Sequence, residues 1–393
     1  MRTTEDREDN VMSFSQQNKL HRRMMIHKSI KVSFIILVLV AAVFILWKYV
    51  LHKQTSYTSY KVVSTYEMER DGDEEYYPFL NGVIRKMDEG FAYIENGKEK
   101  WNCGIAVDDA IVAFSDSYIA TAEYYSSSVC LIDEGGSQYS ITTSYPVVDL
   151  TVSNQGIVAA VLDDGEANYI ELRDKANQQI AMGRTVIQGD GYPVSVSISE
   201  DGTKLAVSYL SVTNGSTQSS VVFYNYSSVG QEEVDRIVGG FNHYKSSVVP
   251  RVAFVGNNTA AAFGSELFTI YSIKQIPSIQ KEMELEQQVE SVFYNDSYIG
   301  IVQTGQNTKH TVLVYDKSGN NILKYNTDYD YTGVTFAGKN VLLYNSKSCL
   351  MVNRDGEICF EYEFDETITR IVPTSSDSYV VVFNNKIQEI TLQ

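Results

Sequence analysis

The side chains best suited to catalysis are scarce in this sequence and poorly spaced for it. Of five histidines, His21, His27 and His52 lie beside a long apolar run, which leaves His243 and His310 for any Ser–His or metal-centred site. No HExxH, GxSxG or phosphate-cradling glycine loop occurs, and none of Cys103, Cys130, Cys349 and Cys359 stands in CxxC spacing. Asp163 with Asp164, and Asp328 with Asp330, have the residue types that glycoside hydrolysis needs, an acid beside a base or nucleophile. Both pairs fall in turns, however, where Asp commonly serves its own backbone. Glu67, Glu69, Asp71, Asp73, Glu74 and Glu75 could offer oxygens to a divalent cation, or form a solvated loop, and their spacing matches no calcium loop. Cys349 and Cys359 flank the turn Asn353-Arg354-Asp355-Gly356 and so lie on neighbouring strands; they could pair as a disulfide or act as small buried hydrophobes. No catalytic, cofactor-binding or metal-binding residue is assigned. The strongest candidate is a binding stretch, VDRIVGGFNHYKSSVVPR at 234–251, which gathers Asp235, Arg236, Phe241, His243, Tyr244 and Arg251 around two glycines. Glycine permits an irregular backbone, and loops carry function more often than strands do.

The elements that would position these residues begin with an anchor. Residues 32–47, VSFIILVLVAAVFILW, hold one polar side chain, and extended to 30–51 they give about 33 Å of helix, enough for a hydrocarbon core of about 30 Å. Lys31 and Lys48 can snorkel at its ends, and Trp47 and Tyr49 suit an interfacial belt. The bulky Leu46-Trp47-Lys48-Tyr49 is not a signal-peptidase site. Five cations precede the run and three follow it closely, so the positive-inside rule predicts a cytoplasmic basic tail at 1–29 and an extracytoplasmic body.

Charge supports that reading. Residues 54–393 carry 23 basic and 45 acidic side chains, a net of −22. Such a field repels nucleic acid and anionic lipid, and favours cationic or neutral partners. Tyr, Phe, Val, Ile and Thr are abundant and prolines few, as strands require.

After an apparent stalk at 52–78, one pattern recurs: an alternating strand, a polar turn, a very apolar strand, another alternating strand, a glycine turn and a fourth strand. The copies run 82–101, 110–141, 147–180, 194–237, 249–283, 289–325, 331–364 and 368–392. Four-stranded units at a period of about 40–50 residues are propeller blades, each too small to bury both faces until its neighbours stack on it. The sequence therefore predicts an all-β protein, a β-propeller of seven or eight four-stranded blades with eight favoured, over 79–393. The last copy lacks a fourth strand, which residues 60–66 could supply to close the ring.

SISEDGTKLAVSYL (197–210) resembles the WD40/YVTN-type repeat, and IENGKEKW (94–101) is similar to the quinoprotein-type repeat in which a Trp closes the blade. From the anchor onward, the stretches SYKVV, GYPVSVSISEDGTKLAVSYL, FYNYSSVGQEEVDRIVGGF, VVPRVAF and FYNDSYIGIV resemble an uncharacterised family of membrane-anchored propeller-like proteins of Gram-positive anaerobes. That resemblance implies fold and location and supplies no activity. Quinoprotein enzymes stack their quinone on a Trp beside calcium and a catalytic Asp; outside the anchor this chain has only Trp101. The expectation is an extracytoplasmic binding or scaffolding module, bilayer-anchored, with an envelope protein or glycan as partner, no cofactor, and 234–251 at the propeller mouth. The alternative is an envelope enzyme of quinoprotein-like or glycan-hydrolysing type.

Overall fold

A computed structural model describes residues 37–40, 42–43, 56–69, 74–105, 109–213, 215–244 and 247–393. The chain divides into two units, residues 1–56 and 57–393. In the first, residues 37–40 and 42–43 are helical, and among the described residues no helix is long and apolar enough to cross a membrane. The basic tail and the rest of the expected span lie outside the described residues.

The second unit is a ring of eight four-stranded antiparallel sheets. Blade 1 is β2 (Glu75–Phe79), β3 (Gly82–Met87), β4 (Gly90–Glu95) and β5 (Lys98–Gly104), and blade 2 is β6 (Ala110–Phe114), β7 (Tyr118–Glu123), β8 (Ser128–Asp133) and β9 (Gln138–Thr142). Blade 3 is β10 (Val147–Val152), β11 (Val158–Asp163), β12 (Asn168–Arg173) and β13 (Gln179–Thr185). Blade 4 is β14 (Tyr192–Ile198), β15 (Lys204–Thr213), β16 (Ser216–Asn225) and β17 (Ile237–Phe241). Blades 5 to 7 follow as β18 (Arg251–Phe254) to β21 (Ser278–Glu284), β22 (Val289–Tyr294) to β25 (Asn321–Thr327), and β26 (Gly333–Ala337) to β29 (Ile358–Glu363).

Blade 8 is built from both ends of the unit. β30 (Ile368–Pro373), β31 (Ser378–Phe383) and β32 (Lys386–Leu392) are joined by β1 (Tyr60–Glu67), which pairs with β32 from Tyr60 opposite Leu392 to Glu67 opposite Lys386. The stalk boundary at residue 78 is thereby corrected: β1 and most of β2 come from that segment and are blade strands. The physical reason is ring closure: β1 gives blade 8 its fourth strand, ties the start of the unit to its end, and packs the Tyr60 ring on Tyr362 and Phe364 of blade 7.

Each blade meets the next through an apolar layer, and eight core clusters account for eight interfaces. The second and third strands are apolar on both faces, as in VAAVLD of β11 and SYVVVF of β31, because each is covered by a blade on either side. First strands line the axis and fourth strands face outward. Within a blade, the start of the first strand, the end of the second, the start of the third and the end of the fourth share one end of the ring. We call this the upper end.

The acidic segment is used structurally. Glu74, fully covered, receives Arg85 Nε at 2.9 Å and the Tyr76 hydroxyl, and Glu75 receives Lys86 Nζ at 2.7 Å. Asp71 and Asp73 lie outside the described residues. All four cysteines are free thiols. Cys349 stands opposite Tyr362 rather than Cys359, so the register keeps that pair apart, and burial lifts the Cys349 and Cys359 thiols to about 12 and about 11.

Candidate functional site

The six residues of 234–251 do not assemble into one site, because the stretch is part of the blade pattern: residues 237–241 form β17, the fourth strand of blade 4. Phe241 packs on Tyr271 and Phe223 at 4.8 and 6.0 Å between blades 4 and 5. Tyr244 is buried in the same layer, its hydroxyl paired with that of Tyr271. The His243 ring stacks on Tyr244 at 4.4 Å, with Nε2 2.8 Å from Glu282 Oε2, a contact that becomes an ion pair when the imidazole is protonated. Arg251 begins β18 at the upper end of the axis and donates to the Tyr294 hydroxyl at 3.1 Å. Asp235 and Arg236 stand apart from these four, at the lower start of β17, and both line a groove of about 720 Å³ between blades 3 and 4.

The groove arises from missing side chains. On β12, Ile170 and Leu172 face blade 4 and pack with Val196, Val207, Tyr209 and Tyr224. Their cross-strand neighbours on β13 point the same way, and these are Gly183, opposite Ile170, and Ala181, opposite Leu172. Each other blade has at least one large side chain in the matching pair: Trp101 in blade 1, Tyr139 and Ile141 in blade 2, Phe241 in blade 4, Met283 in blade 5, Leu323 and Tyr325 in blade 6, Phe360 and Tyr362 in blade 7, and Tyr66 in blade 8. A Cβ built on Gly183 meets no atom within 4 Å. The outer half of the blade 3–4 interface is therefore open.

The two walls differ in kind. On one side residues 180–185 of β13 all line the groove; consecutive residues can do so only if the strand presents its edge, since alternate side chains point to opposite faces. β13 is the terminal strand of its sheet, so this edge carries unpaired N–H and C=O groups. On the other side the lining residues alternate, with Tyr209 and Ser211 from β15 and Gln218, Ser220, Val222 and Tyr224 from β16. That wall is a sheet face, made tall by a hairpin whose two strands each run ten residues.

The floor is phenolic. The Tyr209 and Tyr224 hydroxyls lie 2.7 Å apart. Burial pushes Tyr224 up to about 12 and raises Tyr209 and Tyr226 as well, while Arg236 acts on Tyr226 in the opposite sense. The charges of Asp190 and Asp235 raise Tyr224 further. Asp235 and Arg236 are both left-handed, at φ 54° and 63°. Two successive residues other than glycine in this region cost about 1–2 kcal/mol each, and such conformations cluster at functional sites. The sequence carried a signal for this groove: set against the other copies, QIAMGRT has Ala and Gly where every other blade places at least one aromatic or large aliphatic side chain.

The other chemical candidates are occupied structurally. Asp163 accepts from the Tyr125 hydroxyl at 2.9 Å, and Asp164 accepts from the Glu166 and Ala167 amides, which hold its carboxyl below the usual range. Asp330 is lowered by Lys309. His310 Nδ1 lies 2.6 Å from Glu290 Oε2. Trp101 sits on an outer strand rather than at the axis and donates to the Glu134 carbonyl. Among the described residues no group of His, Cys, Asp or Glu has the geometry to hold a metal ion. A second cavity of about 490 Å³ lies on the axis at the lower end, lined by first strands of all eight blades. Its Glu200 is raised by burial and then by Asp296.

The family of unknown function DUF5711 matches this chain over residues 52–392, and the chain belongs to that family. No protein of curated function matches it in sequence. Among solved structures it is similar to Sqt1 from Chaetomium thermophilum, at 11% identity and TM-score 0.51, covering 86% of this chain and 98% of that one. It is also similar to dipeptidyl peptidase 4 from Porphyromonas gingivalis, at 12% identity and TM-score 0.52, covering 82% and 58%. At such identities the likeness is one of fold alone.

Proposed function

We propose that this chain is a membrane-anchored, extracytoplasmic binding module of the cell envelope, and that its recognition site is the groove between blades 3 and 4, which takes an extended polypeptide segment from an envelope protein. Location rests on the apolar run at 30–51, the five cations before it and the net −22 of the body. One observation carries the site: an unpaired strand edge faces a tyrosine-bearing sheet face across a gap that no side chain fills. A strand laid along β13 would gain main-chain hydrogen bonds on one side and pockets for alternate side chains on the other, the logic of strand addition. Asp190, Glu233 and Asp235 outnumber Arg184 and Arg236 along the rim, so a segment alternating apolar and basic residues fits best.

The test is capture from native membranes with the full-length chain, wild type against Gly183→Val and Arg236→Ala. A specific envelope protein lost with both variants, their melting temperatures retained, supports the site. A captured protein retained by both variants would overturn the groove as its site. Capture of a glycan alone would overturn the polypeptide reading.

A further inference from the structure

A second surface, sharing no residue with the groove, lies at the upper end over blades 2 to 4. The loop from β7 to β8 carries Tyr124 and Tyr125, both half-exposed, their rings 5.0 Å apart at 70° so that they form a corner. Tyr192, partly exposed, begins β14 and neighbours Tyr124. Carboxylates lie beneath. Asp163, at the end of β11, fixes the Tyr125 hydroxyl at 2.9 Å, and Tyr192 lies within the fields of Asp163 and Asp149. A bulge in β10 after Val147 re-aims Asp149. Asp149 accepts from the Leu150 amide at 2.9 Å and lies within the field of Arg251, whose guanidinium stands 5.5 Å from the Tyr294 ring centre.

Tyr125 is the unusual member. It is held at φ 64°, a genuine outlier for a bulky residue. Its amide donates to the Val147 carbonyl at 2.9 Å and its hydroxyl to Asp163, so the strained backbone holds a ring that is half open to solvent and is absent from the blade cores. Core packing does not account for that conformation; presentation of the ring does.

We propose that this tyrosine corner binds an organic cation of the quaternary ammonium type. Electron-rich ring faces meet a cation at such a corner, the Asp163 carboxylate against Tyr125 adds an acidic group, and the net −22 of the body draws cations toward it. An ammonium carrying methyl groups suits the site better than a metal ion, because the rings offer polarisable faces where a metal needs several converging oxygens.

The experiment titrates the full-length chain with choline at constant ionic strength, with its neutral isostere 3,3-dimethylbutan-1-ol run beside it. Choline should bind about tenfold tighter than the isostere, because only the charge differs. Tyr192→Phe should keep that affinity and Tyr192→Leu should lose about fivefold or more. Tyr125→Gly, which relieves the left-handed strain, should abolish binding while the melting temperature holds. Gly183→Val, in the groove, should leave choline binding unchanged. Equal affinity for the isostere would overturn the proposal in favour of a merely apolar patch. Binding of neutral oligosaccharide with no response to choline would overturn it in favour of a sugar-stacking platform.

Discussion

Gly183→Val tests how the groove is made, and its two readouts should move in opposite directions. Gly183 lies within a strand, opposite Ile170, with open space where its Cβ would stand. Replacing a strand glycine recovers about 0.5–1 kcal/mol of backbone entropy. The added methyls cover part of the Tyr209 and Tyr224 rings and gain about 0.8 kcal/mol per buried carbon, of which roughly half is realised at an open groove. The sum is about 1–2 kcal/mol of added stability, read as a rise of about 1–3 °C in melting temperature for a unit of this size. The same methyls occupy the space a bound strand needs, so affinity for the captured segment should fall at least about tenfold, the equivalent of about 1.4 kcal/mol. Differential scanning calorimetry and a binding isotherm on one preparation measure both. A variant destabilised by about 1 kcal/mol or more would mean that blade 4 already fills the space, and the origin of the groove in absent side chains would be refuted.

Three further outcomes follow from the ring and its ion pairs. Lys61→Pro removes a ladder donor from β1 opposite Thr391; it should cost about 3 kcal/mol, and hydrogen exchange should show blade 8 opening before the other blades. Arg85→Ala leaves Glu74 buried without its guanidinium and should cost about 3–5 kcal/mol, with Arg85→Ala/Glu74→Gln recovering much of that loss in chemical denaturation. Burial lifts the Asp149 carboxyl to about 6, so between about pH 4 and pH 6 the native state binds more protons than the unfolded chain, and stability falls as pH rises through that window. Asp149→Asn should flatten that slope and be the more stable protein at pH 7 by about 2–3 kcal/mol, and a denaturation series against pH that shows no difference between the two would refute it.

Much of the architecture was legible in order along the chain because propeller blades are local. Each four-stranded unit folds from consecutive residues, so alternation and turn glycines marked eight copies and left the last one short by the strand that β1 provides. The limits of those copies follow the blades closely, as in 289–325 against β22 to β25 at 289–327. The reading failed where chain order and spatial order part. Residues 52–78 lack the apolar run of a core strand and read as a stalk; the closing strand expected at 60–66 is there as β1, paired with residues more than 300 positions away, but β2 at Glu75–Phe79 was missed. The stretch 234–251 read as one loop because its residue types are unusual, but a strand separates its ends, and antiparallel geometry sends Asp235 and Arg236 to the lower end and Tyr244 and Arg251 to the upper.

What the sequence determined by itself is therefore the repeat, the blade count to within one, the charge of the body and the apolar run near the N-terminus, all of which depend on residue type and local period. What tertiary structure decided is where space remains. A groove is a relation between blades: Ala181 and Gly183 are unremarkable small residues until cross-strand register turns them toward Tyr209 and Tyr224 and no neighbour fills the gap. The tyrosine corner is likewise a product of stacking, since Tyr124, Tyr125, Asp149, Asp163 and Tyr192 come from three blades and meet only because those blades stand side by side around one axis.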